Sequence, residues 1–186
     1  GAASGMGLAF ARRFAAEGMK LALADVEGPA LDAAVKQLRK GGAEVLARRT
    51  DVSRWEEVEA LAAETFERFG TAHVVCNNAG VAVTGRVHTM DFKGWDWVMG
   101  VNLGGVINGV QTFVNRIKAH GEGGHFVNTA SMAGQMPIPS GSIYTTSKYA
   151  VVGMSEVMKT DLARYGIGVS VLCPGGVITN VGKSGR

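Results

Sequence analysis

Apolar positions along this chain follow two alternating rhythms. Compact apolar runs at 20–25, 44–50, 73–76, 125–130 and 168–173 have the length and β-branched content of buried strands. Between them, apolar residues recur every three or four positions, as on one face of a helix. Leu8, Phe10, Ala11, Phe14 and Ala15 open with that helical pattern. Leu31, Ala34, Val35 and Leu38 predict a helix over 28–40, stopped by Gly41-Gly42. A further helix is expected from Ser53, with Glu56 three residues on completing a capping box. Its buried stripe would be Val58, Leu61, Ala62, Thr65, Phe66 and Phe69, ended by Gly70. A long helical region over 95–119 contains Gly104, Gly105 and Gly109. Glycine costs ~0.5–1 kcal/mol in a helix, so these positions mark close packing or a subunit contact. The last helix is expected over 143–164. Strand–helix alternation of this kind predicts an α/β fold in one domain. Its sheet is parallel and doubly wound, with helices on both faces and ligands at the carboxyl ends of the strands.

Composition narrows the function classes. Hydrophobic residues make up 46% of 186 and charged residues 19%, a globular balance. The net charge is only +3 and the basic residues are scattered, which argues against nucleic acid or a membrane surface as partner. No run approaches the ~18 apolar residues of a membrane span. Cys76 and Cys173 each end an apolar run and read as core thiols, in keeping with a reducing cytoplasm. His73, His88, His120 and His125 show no metal-ligand spacing along the chain, so no metal is expected.

Chemistry enters with Tyr144 and Lys148. At i and i+4 of one helix, a phenol and an ammonium share a face. A phenol ionises near ~10 in water, too high for a base at neutral pH. A cation ~4 Å away supplies about 4 kcal/mol at an effective dielectric of ~20. Lowering a phenol by two to three units needs roughly that much. The pair is therefore suited to moving a hydroxyl proton in either direction. At the other end of the chain, Gly1-Ala2-Ala3-Ser4-Gly5-Met6-Gly7 runs straight into a helical pattern. Glycines there let a pyrophosphate approach the helix N-terminus, although the same residues also suit a plain flexible turn. Asp25, ending a strand eighteen residues past Gly7, can hydrogen-bond ribose hydroxyls, cap the following helix, or do both.

With these motifs in order, the sequence strongly resembles the short-chain dehydrogenase/reductase family, whose fold is Rossmann-like. Gly1, Gly5 and Gly7 match its glycine-rich turn, and Asp51-Val52 its adenine-binding dipeptide. Asn77-Asn78-Ala79-Gly80 matches its signature after a central strand. Asn102, Ser131, Tyr144 and Lys148 match its catalytic four, and Pro174-Gly175 with Thr179 its nicotinamide segment. The resemblance implies an oxidoreductase that passes a hydride between a nicotinamide cofactor and an alcohol or ketone. Cofactor contacts would come from Gly1, Ser4, Gly5, Met6, Gly7, Asp25, Val26, Asp51, Val52, Asn78, Ala79 and Gly80. Further contacts would come from Tyr144, Lys148, Pro174, Gly175, Val177 and Thr179. Tyr144 would exchange the proton, Lys148 assist it and hold the ribose, Ser131 bind the substrate oxygen, and Asn102 fix a water. Plainer roles stand beside these: Ser131 as a strand-end turn residue, Asn102 and Asn78 as buried polar anchors. NAD is expected over NADP, since Asp25 repels a 2′-phosphate and no Arg or Lys occupies 2–6 or 26–29. The family also implies a homodimer or homotetramer.

The family begins with a strand before its first glycine and continues past Thr179. Both segments are absent from this sequence, so β-strands flanking the first strand are expected to lack their shared neighbour. The loop over 133–143 carries Met136, Pro137, Ile138 and Pro139 and no Arg or Lys, favouring a neutral, largely apolar alcohol or ketone. Phrases over 100–109 and 165–171 are similar to a bacterial subgroup that includes aryl-alcohol dehydrogenases. The alternative is a catalytically idle dinucleotide-binding sensor or scaffold.

Overall fold

The computed structural model describes residues 1–177. Each apolar run becomes a strand: β1 (Leu21–Asp25), β2 (Val45–Arg49), β3 (Val74–Asn77), β4 (Gly124–Thr129) and β5 (Ile167–Leu172). The helices are α1 (Gly5–Ala16), α2 (Gly28–Lys40), α3 (Trp55–Phe69), α4 (Phe92–Met99), α5 (Gly105–His120) and α6 (Ser142–Ala163). A π-helical stretch, Gly100–Gly104, joins α4 to α5, so the predicted long helix is continuous but widened where Asn102 sits.

All pairing is parallel. β1 pairs with β2 from Leu21↔Val45 to Asp25↔Arg49. β4 lies between β3 and β5, with Cys76 opposite Val127 and Phe126 opposite Val169. Among the described residues β1 and β3 share no ladder. Between them lies a cavity of about 490 Å³, lined by Leu21 to Ala24 on one side and His73 to Asn77 on the other. This is the gap expected where two strands lack a shared neighbour. Gly1 and Ala2 close one end of it, both donating to the Ala24 carbonyl.

Two apolar clusters hold the layers. Leu21, Leu23 and Val45 of the first strand pair meet Ala11, Leu31, Val35 and Leu38 of α1 and α2. Phe126, Ile167 and Val75 meet Val58, Val110, Phe113, Ile117, Val151 and Leu162 of α3, α5 and α6. A fully buried side chain of this size contributes about 1.5–3 kcal/mol, so these stripes outweigh the weak capping of several helices.

One expectation changes, and two become specific. α3 begins at Trp55, and no capping box forms. Ser53 instead donates its N–H and hydroxyl to Asp51 Oδ1, and Glu57 rather than Glu56 reaches back to the Asp51 N–H at 2.7 Å. Two of the α5 glycines serve packing within the subunit. A Cβ at Gly105 would lie 2.7 Å from a Val52 methyl, and one at Gly109 2.0 Å from Asn77 Oδ1. Gly105 is therefore not part of an open contact face. Cys76 and Cys173 are both free thiols, and burial pushes Cys76 up to about 11, where it is unreactive.

Candidate active site

The parallel strands all end toward the same edge, and the chemistry collects there. β4 ends at Thr129, and the extended backbone of Ser131 then starts a short turn, Met132–Gly134. The Ser131 Oγ accepts from the Ala133 N–H at 3.1 Å, which leaves its own hydrogen free to donate. That turn lies flat on α6: a Cβ at Gly134 would stand 2.7 Å from the Lys148 carbonyl oxygen. The glycine thus brings the Ser131 turn against the helical level that carries Lys148.

Lys148 is buried, and its Nζ donates to the Thr129 carbonyl at 2.8 Å. The same Nζ lies 5.6 Å from the centroid of the Tyr144 ring. Burial pulls its pKa down to about 8, with Cys173 only partly opposing the fall. Tyr144 is half-buried one turn earlier, as the i, i+4 spacing predicts. Gly80 approaches from the third side, its Cβ position 3.6 Å from Lys148 Nζ and 3.5 Å from Asn102 Oδ1.

Asn102 is fully buried and acts as a latch. Its Oδ1 accepts from the Val81 N–H at 2.8 Å, while Nδ2 donates to the Val81 carbonyl and to Ser147 Oγ. Both amide hydrogens are used, so the side chain joins the segment after Asn78-Ala79-Gly80 to α6 directly. These bonds suit an anchor, and Oδ1 keeps a second lone pair. Asn78 does likewise, donating to the Gly1 carbonyl and accepting from Thr129 Oγ1.

At the glycine-rich turn, the Ser4 side chain makes no capping hydrogen bond and no acidic residue occupies the first turn of α1. The positive helix end is uncovered, as an anion site requires. Gly5 takes φ 52°, and a Cβ at Gly7 would lie 1.8 Å from the Gly1 carbonyl oxygen. Gly1 in turn presses on Ala79, whose Cα is 2.8 Å from its Cβ position. Met6 is half-buried beside this turn.

Asp25 closes the far end. Oδ2 accepts from the Ala3 N–H at 2.8 Å and Oδ1 from the Glu27 N–H at 3.0 Å. Those two N–H groups favour the ionised carboxylate over its protonated form. Val26 follows at the same corner. Here the structure adds a residue that local sequence reading missed. Arg49, the register partner of Asp25 on β2, lays its Nε on the Val26 carbonyl at 3.0 Å. The pairing of two strands, not chain proximity, delivers this cation.

Asp51 and Val52 sit at the end of β2, where Val52 packs on Gly105 and accepts from Asn108 Nδ2. The Pro174 carbonyl accepts from the Met132 N–H at 3.0 Å, so Pro174 and Gly175 lie beside the Ser131 turn. Val177 is exposed, and Thr179 lies outside the described residues. Met132, Met136 and Ile138 are exposed around this edge. A bridge between Gly85 and Gly141 brings the 85–92 segment against them, with exposed Val87 and Phe92 and also Arg86. Arg86 was not visible as a neighbour from the 133–143 loop alone.

Residues 1–186 match the family model described as short chain dehydrogenase. A C alpha-dehydrogenase from Sphingobium sp. is 36% identical over 187 residues, covering all of this chain and 61% of that protein. Among solved structures, a short-chain dehydrogenase/reductase from Burkholderia phymatum, in complex with NAD, superposes with a TM-score of 0.95. It is 46% identical, over 97% of this chain and 65% of that one. An alcohol dehydrogenase from Thermococcus sibiricus, complexed with 5-hydroxy-NADP, gives 0.92 at 31% identity, over all of this chain and 79% of that one. The chain spans between 31% and 72% of the length of the curated relatives it matches.

Proposed function

Because the chain belongs to the short-chain dehydrogenase/reductase family, we propose that it is an NAD-preferring dehydrogenase of neutral, largely apolar alcohols or ketones. The observation that carries this reading is the buried Lys148 ammonium. It is held by one carbonyl, with no carboxylate partner among the described residues, beside Tyr144 and below the Ser131 turn. A charge kept dry without a counter-ion is costly to the fold. An idle binding module would use it only to grip the ribose, whereas a proton-transfer site also uses its charge to favour the ionised phenol.

The residues fit a dinucleotide. The glycine cradle leaves no room for a Cβ at Gly7, the α1 terminus is uncovered, and Asp25 offers a carboxylate with lone pairs to spare. Gly1 to Gly7 would hold the pyrophosphate, Asp25 and Val26 the adenosine ribose, and Asp51 and Val52 the adenine. Asn78 to Gly80, Lys148, Pro174, Gly175 and Val177 would hold the nicotinamide half. A bound nicotinamide supplies the hydride donor or acceptor. Tyr144 exchanges the proton with the substrate oxygen, as general base in oxidation and general acid in reduction. Lys148 favours the ionised phenol by its charge and donates to the ribose. Ser131 donates its free hydroxyl hydrogen to the same substrate oxygen, stabilising negative charge as it builds. Asn102 keeps the 78–81 segment and α6 in register, a positioning role.

The exposed apolar side chains of Met132, Met136, Ile138, Val87 and Phe92 support an apolar substrate. The Sphingobium relative's name, C alpha-dehydrogenase, is consistent with dehydrogenation at a carbon centre. A steady-state screen of hydrophobic and aryl alcohols and their ketones, with NAD and NADP in parallel, tests the proposal. Cofactor binding without turnover across that panel would favour the sensor reading.

A further inference from the structure

At the opposite edge of the sheet from Ser131 and Tyr144, three side chains distant in sequence meet. His73 precedes β3, His120 ends α5, and Glu122 follows Gly121, whose φ of 73° turns the chain back. One nitrogen of each histidine and a Glu122 oxygen all lie within 4.8 Å of one another. The His73 Nε2 is 2.7 Å from Glu122 Oε2, and the two imidazole centroids are 5.3 Å apart.

The hydrogen bonds around His120 fix its tautomer. Its Nδ1 accepts from the Glu122 N–H at 3.1 Å, and its Nε2 faces the Ala72 carbonyl at 3.3 Å. A carbonyl can only accept, so the proton is assigned to Nε2 and Nδ1 keeps its lone pair. A metal-ligating imidazole likewise has one nitrogen donating to a backbone carbonyl that orients the ring; a metal ion on Nδ1 would take the place of the Glu122 N–H. The hydrogen bond from His73 holds the Glu122 carboxyl below its usual range.

We propose that His73, His120 and Glu122 form a binding site for a divalent transition-metal ion, Zn²⁺ being the best match. Two imidazoles and a carboxylate supply three of four tetrahedral positions, and water supplies the fourth. Tetrahedral bonds of ~2.0–2.1 Å separate ligand atoms by roughly 3.3 Å. The present cluster reaches that spacing by rotating His73 and Glu122, which are both exposed. The ion replaces the His73–Glu122 hydrogen bond and ties the entrance of β3 to the end of α5. Nothing in this inference depends on the oxidoreductase reading, since the site lies at the other end of the strands.

The test is calorimetric titration of the purified, tag-free protein with Zn²⁺ alone, with Co²⁺ absorption as a geometric readout. The expected result is one ion per chain in the micromolar range, a rise in Tm with metal, and a tetrahedral Co²⁺ spectrum. His73→Gln and His120→Gln should each weaken binding at least tenfold, and His88→Gln should leave it unchanged. Because His73 is exposed, His73→Gln folds even if His120→Gln does not. No binding at about 100 µM Zn²⁺, or binding that His73→Gln leaves intact, would overturn the proposal.

Discussion

Lys148 Nζ donates to the Thr129 carbonyl at 2.8 Å, two residues before Ser131, and that bond ties α6 to the end of β4. The same bond is the only protein partner of the ammonium among the described residues. One lysine therefore both locates the site and strains the apoprotein electrostatically.

The strain makes a signed prediction. The Lys148 pKa falls from 10.5 to about 8 on folding. Below about pH 8 the lysine is charged in both states, and the folded state bears the full cost, about 3 kcal/mol. Between about 8 and 10.5 the unfolded chain binds more protons, so this cost fades and stability rises with pH. Lys148→Met should then stabilise the cofactor-free protein at pH 7 by about 1–2 kcal/mol, after allowing ~1–2 for the orphaned Thr129 carbonyl. The gain should shrink by pH 9.5, while kcat and NAD affinity both drop. Urea unfolding at the two pH values measures this. A destabilised variant at pH 7 would show that burial of the charge is not the dominant cost.

The glycine cradle is steric, and Gly7 is its tightest point. A Cβ there would stand 1.8 Å from the Gly1 carbonyl oxygen and 2.8 Å from Asn78 Nδ2. Gly7→Ala must displace Gly1, which is already packed on Ala79, costing about 1–3 kcal/mol of stability. NAD affinity should fall by more than tenfold. Fluorescence titration with NAD, on protein first shown to be folded, reads it; unchanged affinity would remove the cradle from the cofactor site.

Much of this was legible in the chain. The i, i+4 relation of Tyr144 and Lys148, the strand ending before Ser131 and the Asp25 terminus all follow from local periodicity, which short-range hydrogen bonding enforces. What escaped was set by long-range pairing. Arg49 reaches the Asp25 corner through β1–β2 register, and Arg86 reaches the 133–143 loop through the Gly85–Gly141 bridge. Gly105 looked like a candidate contact surface because its partner, Val52, lies 53 residues earlier in the sequence. His73 and His120, 47 residues apart in sequence, meet Glu122 only in space. The Ser53 capping box failed because Asp51 offers Ser53 a stronger, charged acceptor two residues away.

Cofactor choice follows from the Asp25 corner. Two backbone N–H groups favour the ionised carboxylate, so a 2′-phosphate meets like charge, while Arg49 partly offsets it. We expect kcat/KM for NAD to exceed that for NADP at least tenfold. Arg49→Ala should widen the gap by lowering the NADP value. An NADP preference, or a gap that Arg49→Ala narrows, would refute this reading of the corner.

Association of subunits is expected through α5 and α6. Tyr149, Gly153 and Val157 lie at i, i+4 and i+8 of α6; the two side chains are exposed, and a Cβ at Gly153 would meet nothing within 4 Å. Ile107 on α5 is also exposed. Such a stripe suits a symmetric interface with a second copy of the chain. Light scattering should show a dimer or tetramer, and Val157→Arg should shift it toward monomer. A wild-type monomer at micromolar concentration would contradict the expectation.

Tyr144 is the proposed proton carrier. Tyr144→Phe keeps the ring beside Lys148 and removes only the hydroxyl. Single-turnover and steady-state rates of alcohol oxidation, with NAD affinity measured alongside, test it most directly. The prediction is a fall in kcat of about 10²–10⁴ with NAD affinity nearly unchanged. Near-normal turnover by Tyr144→Phe would mean that the proton leaves by another route, and the proposed mechanism would be wrong.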